Sequence, residues 1–271
     1  MKHLFSLVHL TNIHCPPPQL VYTAAKAGYD AVSIRTIPLG LAGEKPYDLA
    51  HDKALRRETQ AALQQTGLLY KDTEIARIAD GVDVREHEPY LEAAAEMGVQ
   101  QVTTNIWSPD KEFYTEQFAR LCELCAQYGL RVNIEFVTWA AVADLRQAAA
   151  LIRAVGCSNA GILVDALHFH RSRVSLQELR QCPADWFHCA HLCDCEAPIP
   201  TDLESLVHTG RAERLYPGEG AVPIADMIDA IPGKNLLLGL EVPHEKRLQE
   251  LGFEEHARRA LQAAKKALGE L

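Results

Sequence analysis

Short apolar runs alternate with longer amphipathic segments along this chain. The runs are LFSLVHL from Leu4, DAVSIR from Asp30, LLYKDTEI from Leu68, VQQVTTNI from Val99, LRVNIEFV from Leu130, AGILVDAL from Ala160, WFHCAHLC from Trp186 and NLLLGLEV from Asn235. Their length and Val/Ile/Leu content suit strands of a parallel sheet covered on both faces, which need not alternate apolar with polar. Between them PQLVYTAAKAGY, ALRRETQAALQQTG, EPYLEAAAEMG, FARLCELCAQYG and LRQAAALIRAVG read as helices, most closed by a glycine where a C-cap falls. EEHARRALQAAKKALGEL makes a last amphipathic helix, while the sixth and seventh helices have the weakest pattern. Cys195 to Gly220 is long, polar and broken by Pro and Gly, and is predicted to be mostly extended loop after the seventh strand. Eight strand–helix units of about 34 residues predict an α/β chain folded as a (β/α)8 barrel. It is expected to form a single domain over residues 1–271, since no linker or tandem repeat interrupts it. A doubly wound open sheet is the alternative, but no GxGxxG follows the first strand.

Composition narrows the class. Of 271 residues 48% are hydrophobic, enough for a sizeable core and against disorder. The formal charge of −9 would repel phosphates, so no nucleic-acid partner is expected. No apolar run reaches the roughly 18 residues of a membrane span, and the N-terminal segment lacks the layout of a signal peptide, so no membrane partner is expected. Eight scattered cysteines suit reduced thiols, and a cytoplasmic location is expected. A homo-oligomer is compatible with all of this.

Active sites of such barrels are built at the C-terminal ends of the strands. The polar residues ending the eight runs are His9, Arg35, Glu74, Asn105, Glu135, Asp165, His191 and Glu241. Glu135, Asp165, His191 and Glu241 are four metal-ligand types arriving from four strands. One carboxylate past a strand is as readily a helix N-cap, but three converging on one mouth repel one another unless a cation joins them. Three carboxylates and an imidazole suit Mn²⁺, Mg²⁺ or Co²⁺, with Zn²⁺ as the alternative. His188, Cys189, His191, Cys193 and Cys195 invite a structural zinc, yet alternation sends His188 and Cys189 to opposite faces. The one CxxC, Cys122 to Cys125, lies within a helical pattern without a second pair. His168, His170, Arg171 and Arg173 form a small basic group that suits either an anion or a solvated loop. The PGEG run from Pro217 lacks the Lys and Ser/Thr of a phosphate loop and reads as a tight turn. No GxSxG supports a serine nucleophile.

The motifs N-I-E-F at Asn133–Phe136, V-D-A-L-H at Val164–His168, A-H-L-C-D at Ala190–Asp194, P-G-E-G, and L-G-L-E-V-P around Glu241 give the chain a wider resemblance. It resembles the xylose isomerase-like barrel superfamily of sugar and sugar-phosphate isomerases and epimerases. The resemblance spans essentially the whole chain in architecture and is densest from Glu135 to Glu241. It implies that Glu135, Asp165, His191 and Glu241 bind one divalent metal ion and that His168 contacts a substrate oxygen. It also implies a substrate-binding arginine before the Gly-x-Gly turn, for which Arg214 is preferred and Arg211 is the alternative. Arg35 and Glu74 are further candidates for substrate binding, Glu74 on the site floor or toward a neighbouring subunit. Metal and glutamates together suit proton transfer beside a carbonyl through an enediolate, with Glu135 and Glu241 as the acid/base pair. The expected activity is a metal-dependent isomerase or epimerase of a small sugar, keto-polyol or hydroxy-keto acid. The alternative is a dehydratase of a cyclic keto-polyol, of the inosose or dehydroshikimate type. An apurinic endonuclease on the same barrel needs three zincs and more site ligands than the strand ends supply, and a non-enzymatic binding barrel would not need the metal constellation.

Overall fold

The computed structural model describes residues 3–39 and 46–271. Eight parallel strands close into a barrel in chain order: β1 Leu4–Val8, β2 Ala31–Arg35, β3 Leu69–Glu74, β4 Gln101–Thr104, β5 Arg131–Glu135, β6 Ala160–Asp165, β7 Phe187–Leu192 and β8 Leu237–Leu240. Each lies within a run predicted above, and β1 closes on β8 with Leu4 opposite Leu237 and Leu7 opposite Leu240. The (β/α)8 barrel expected from the apolar pattern is the fold.

The surrounding helices are α1 Pro17–Ala27, α2 Lys53–Thr66, α3 Glu88–Glu96, α4 Lys111–Gln127, α5 Leu145–Val155, α6 Ala166–Arg171, α7 Leu176–Arg180, α8 Leu203–Ala212, α9 Ile224–Ala230 and α10 Glu245–Ala267. Asp52, Asp110 and Asp144 cap α2, α4 and α5 by accepting first-turn N–H groups, so each helix begins where a short polar residue follows a strand–loop passage. α10 breaks at Gly252, whose φ of 72° suits glycine alone, and the predicted terminal helix is the part beyond that break. The segment Cys195 to Gly220 is mostly loop, as expected, but it also holds a helix that the pattern did not predict: Asp202 accepts from the Ser205 N–H and starts α8.

The main core lies between sheet and helices and contains Phe5, Phe118, Phe136 and Phe187, all fully buried. Inside the barrel Ala31, Leu163, Cys189 and Leu237 pack as a separate cluster. Because side chains alternate along a strand, two and four residues further on the same inward rows carry Ser33 and Arg35, Asp165, His191, Gly239 and Glu241. That two-residue period delivers polar groups to one end of an apolar plug. Among the described residues no helix is long and apolar enough to cross a membrane, and all eight cysteines are free thiols.

Candidate metal and active site

Glu135 and Asp165 end β5 and β6, His191 lies one residue before the end of β7, and Glu241 directly follows β8. Asp165 is the register partner of His191, and His191 of Gly239. One ligand atom from each of Glu135, Asp165, His191 and Glu241 lies within 4.8 Å of the others, and all four residues are buried. Gly239 makes the cluster sterically feasible. A Cβ there would stand 2.7 Å from both His191 Cδ2 and Val8 Cγ2.

The electrostatics of the cluster call for a cation. Burial, then Glu241 and Asp165, push the Glu135 carboxyl up to about 8. Burial opposes charging of His191, but Glu241, Glu135 and Asp165 outweigh it and hold the imidazole up at about 10. Burial likewise opposes ionisation of Glu241, but Arg214 and His191 outweigh it and keep this carboxylate well below its usual range. His191 Nδ1 is buried without a hydrogen-bond partner, 3.6 Å from Glu241 Oε2. An imidazole nitrogen with no hydrogen-bond partner, gathered with three carboxylates, is a donor set that fits a divalent ion.

Arg214 reaches this cluster from just beyond α8. Its Nη1 donates to Asp165 Oδ2 at 2.7 Å and pairs with Glu241 Oε2 at 2.9 Å, while Nε donates to the Gly210 carbonyl at 2.7 Å. The predicted substrate arginine therefore touches two candidate ligands directly and also lines the cavity. Arg211, the alternative, is more exposed and faces the same cavity further out. His168 lines it too; its Nδ1 accepts from the Thr138 N–H at 3.3 Å, and its ring packs edge-on to Trp139 with centroids 4.9 Å apart. Burial lowers the His168 pKa to about 4 and leaves the ring neutral.

Glu74 departs from expectation. It does not line the cavity; it is buried behind Arg35, its register partner across β2–β3, and accepts from Arg35 Nη2 at 2.9 Å. Arg35 itself faces the cavity. His9 holds the backbone beneath it. Nε2 donates to the Cys15 carbonyl at 2.8 Å, and Nδ1 accepts the Arg35 N–H at 3.2 Å. Within the basic group after β6, Arg171 donates to the Leu206 carbonyl and Thr209 Oγ1 and thereby braces α8. The buried thiols of Cys122 and Cys125 are pushed up by burial, that of Cys125 to about 12, and Glu135–Asp165–His191–Glu241 is the one candidate metal group among the described residues.

Two contributors carry no role in the sequence reading. Asn105 Nδ2 donates to Glu135 Oε2 at 3.4 Å while its Oδ1 accepts from Trp107 Nε1 at 2.8 Å. The strand-end rule that exposed Glu135 points to Asn105 equally. Asp194 accepts from the N–H groups of Cys195, Gly218 and Val222, each at 2.9 Å, and its backbone pairs with Leu215. It thereby ties the PGEG turn and the strand segment next to Arg214 to the barrel. A Cβ at Gly220 would lie 2.2 Å from the Cys195 carbonyl oxygen, which is why this turn needs glycine.

Together these residues leave a cavity of about 150 Å³ over the cluster, walled by Trp107, Val137 and Trp139. Fold and site define a (β/α)8 barrel with a buried carboxylate–imidazole centre at the C-terminal mouth. The family of xylose isomerase-like TIM barrels matches residues 21–267, and the chain belongs to that family. It is 24% identical over 220 residues to an inosose isomerase of Bacillus velezensis, covering 76% of this chain and 75% of that protein. A crystal structure of the IolI protein with a bound zinc atom superposes with a TM-score of 0.80 at 18% identity, covering 98% of each chain. A D-allulose 3-epimerase from Methylomonas, in complex with D-allulose, has a TM-score of 0.68 at 17% identity, again covering 98% of each chain. At these identities the two structures show a shared fold.

Proposed function

We propose that this chain is a divalent-metal-dependent isomerase or epimerase of a small sugar, keto-polyol or hydroxy-keto acid. The observation that carries the reading is the buried meeting of Glu135 and Glu241 with Asp165 and His191 within 4.8 Å at the floor of a cavity. The activities named for the inosose isomerase and allulose epimerase relatives support it. Mn²⁺, Mg²⁺ or Co²⁺ match the oxygen-rich set, with Zn²⁺, the ion of the IolI structure, as the alternative. An ion held by these four residues would supply Lewis acidity toward neighbouring carbonyl and hydroxyl oxygens.

The chain's own groups then divide the proton work. Glu135 and Glu241 are the acid/base pair: one would take the proton from the carbon beside the carbonyl and the other would return one. Without an ion, burial and two neighbouring carboxylates raise the Glu135 pKa while Arg214 and His191 hold that of Glu241 down, and a bound cation would lower both, so neither role is intrinsic to one residue. Return to the same carbon is epimerisation; return to the neighbouring one is isomerisation. His168, with Nδ1 occupied by the Thr138 N–H, keeps Nε2–H as a donor for a substrate oxygen.

Metal analysis of the purified protein, followed by a panel of ketoses, keto-acids and keto-inositols in D₂O, tests this reading. Deuterium entering the carbon next to the carbonyl, abolished by chelation, is the expected result. Loss of water from the substrate instead would replace the reading with a dehydratase. No metal-dependent exchange or elimination with any member would overturn it.

A further inference from the structure

We infer that Asn105 and Trp107 are positioning residues for Glu135. The Trp107 indole locks the Asn105 amide, and the amide holds one oxygen of the Glu135 carboxylate and leaves the other for the proton. The inference rests on the metal-site reading above and states how one of its ligands is kept in place.

The argument begins with what holds each carboxylate of the cluster. Asp165 accepts from the His168 N–H at 3.0 Å and from Arg214 at 2.7 Å. Glu241 pairs with the same arginine at 2.9 Å. Glu135 touches neither. Among the described residues Asn105 is the one hydrogen-bond donor to its side chain, with Nδ2 3.4 Å from Oε2. Strand pairing makes this contact: Thr104 stands opposite Ile134, so Asn105 and Glu135 follow side by side at the mouth, both buried.

Trp107 decides which end of the amide meets Glu135. Its Nε1 donates to Asn105 Oδ1 at 2.8 Å. An indole N–H can only donate, whereas an amide presents a donor on one side and an acceptor on the other. Turned over, Asn105 would set its NH₂ against the indole N–H and its carbonyl against the carboxylate. Two polar contacts would fail at once, which makes the reversed orientation costly in a buried site.

The brace itself is fixed on both sides. The Ile78 N–H donates to the Asn105 carbonyl at 3.0 Å, and the Trp107 N–H donates to the Ile78 carbonyl at 2.8 Å. From the other side the Ala141 N–H donates to the Ile106 carbonyl at 2.9 Å. The Arg77 guanidinium lies over the indole, 4.6 Å from its centroid. Trp107, Asn105 and Glu135 all line the cavity, so Trp107 is a brace as well as a wall.

The chemistry follows from the donor. An oxygen that accepts an N–H is the poorer place for a proton, so Oε1 is the atom of Glu135 that takes and gives up the proton. Groups that orient a metal ligand from behind matter for the ion too. Their loss typically costs about 10–100-fold in metal affinity or activity.

Calorimetric titration of the metal-free, full-length protein with Mn²⁺ tests this in the wild type, Asn105→Leu, Trp107→Phe and the double variant. Leucine keeps the volume of Asn105 without the amide, and phenylalanine keeps a ring beneath Arg77 without the N–H. Asn105→Leu should weaken Mn²⁺ binding by about tenfold or more, and Trp107→Phe by about threefold or more. The double variant should bind within about twofold of Asn105→Leu, because the indole acts only through the amide. In heteronuclear NMR spectra the Trp107 indole N–H should shift on saturation with Mg²⁺ in the wild type and stay in place in Asn105→Leu. Wild-type affinity in Asn105→Leu, multiplied losses in the double variant, or an indole shift that survives Asn105→Leu would each overturn the inference. Should Asn105→Leu fail to fold, Trp107→Phe decides alone, and wild-type affinity there would overturn it. No Mn²⁺ binding by the wild type would overturn the metal reading and the inference together, whereas binding untouched by the variants removes the inference alone.

Discussion

Arg214 Nη1 lies 2.7 Å from Asp165 Oδ2, with both side chains almost fully buried, so one guanidinium leans directly on a candidate metal ligand. The same nitrogen stands 2.9 Å from Glu241. Arg214 therefore lowers the negative charge of the cluster as well as facing substrate. Removing one partner of a buried ion pair typically costs about 3–5 kcal/mol because the other charge is left stranded. Arg214→Ala should show that loss in metal-free protein and recover much of it when Mn²⁺ is added. Denaturant melts with and without metal read this out. Equal destabilisation in both states would mean that the arginine and the ion do not serve the same carboxylates.

Glu135→Gln and Glu241→Gln should each lower proton exchange by about 10²–10⁴-fold, the range for loss of a positioned acid or base. Each also removes a ligand charge, so the comparison belongs at saturating metal with occupancy verified. Asp165→Asn should regain activity as metal is raised, because its role is ligation. Wild-type exchange in either glutamine variant would refute the acid/base assignment.

Gly239→Ala tests the packing behind His191. The added methyl would press against His191 Cδ2 and Val8 Cγ2 at 2.7 Å, and the imidazole has little room to turn away. Weaker metal binding with an unchanged far-ultraviolet CD spectrum is expected. Unaltered affinity would show that His191 is not held by this contact.

The pH dependence of stability follows from Glu135 and His191. Both pKa values, at about 8 and about 10, are raised above their ordinary values. Between pH 7 and 9 the metal-free folded state therefore binds more protons than the unfolded chain, and its stability falls as pH rises. The histidines lowered by burial, His9, His168 and His256 at about 4, act in the opposite sense, but their unfolded value of 6.5 leaves only a minor part of that effect above pH 7. Metal-free protein should lose melting temperature from pH 7 to 9, at roughly 2 °C or more per kcal/mol. Metal uptake displaces the same protons, so affinity should rise over that window. A melting temperature that climbs with pH in the absence of metal would contradict the placement of these groups.

Much of the fold and site was legible because barrel geometry turns sequence position into spatial position. A residue at the end of an inward-facing row must reach the mouth, so Glu135, Asp165, His191 and Glu241 could be read from the apolar runs before them. Glu74 obeys the same rule yet ends up behind Arg35, since the rule fixes the end of the barrel and not what stands in front. Helix α8 escaped notice because LESLVHTGRA is only ten residues long and lies in a polar stretch broken by Pro and Gly. Asp202 was its available signal, as an N-cap. The contact of Arg214 with Asp165 spans 49 residues, and the three N–H groups gathered by Asp194 come partly from a turn 24 to 28 residues away. No local pattern encodes such pairings; they arise when the loop after β7 folds back over the barrel.

Anomalous diffraction from crystals grown with Mn²⁺ tests the central claim most directly. The account predicts a single peak bounded by carboxylate oxygens of Glu135, Asp165 and Glu241 and by His191 Nδ1, at roughly 2.0–2.6 Å from each ligand. A peak elsewhere in the chain, or none at millimolar Mn²⁺ with the four side chains still converging, would contradict it.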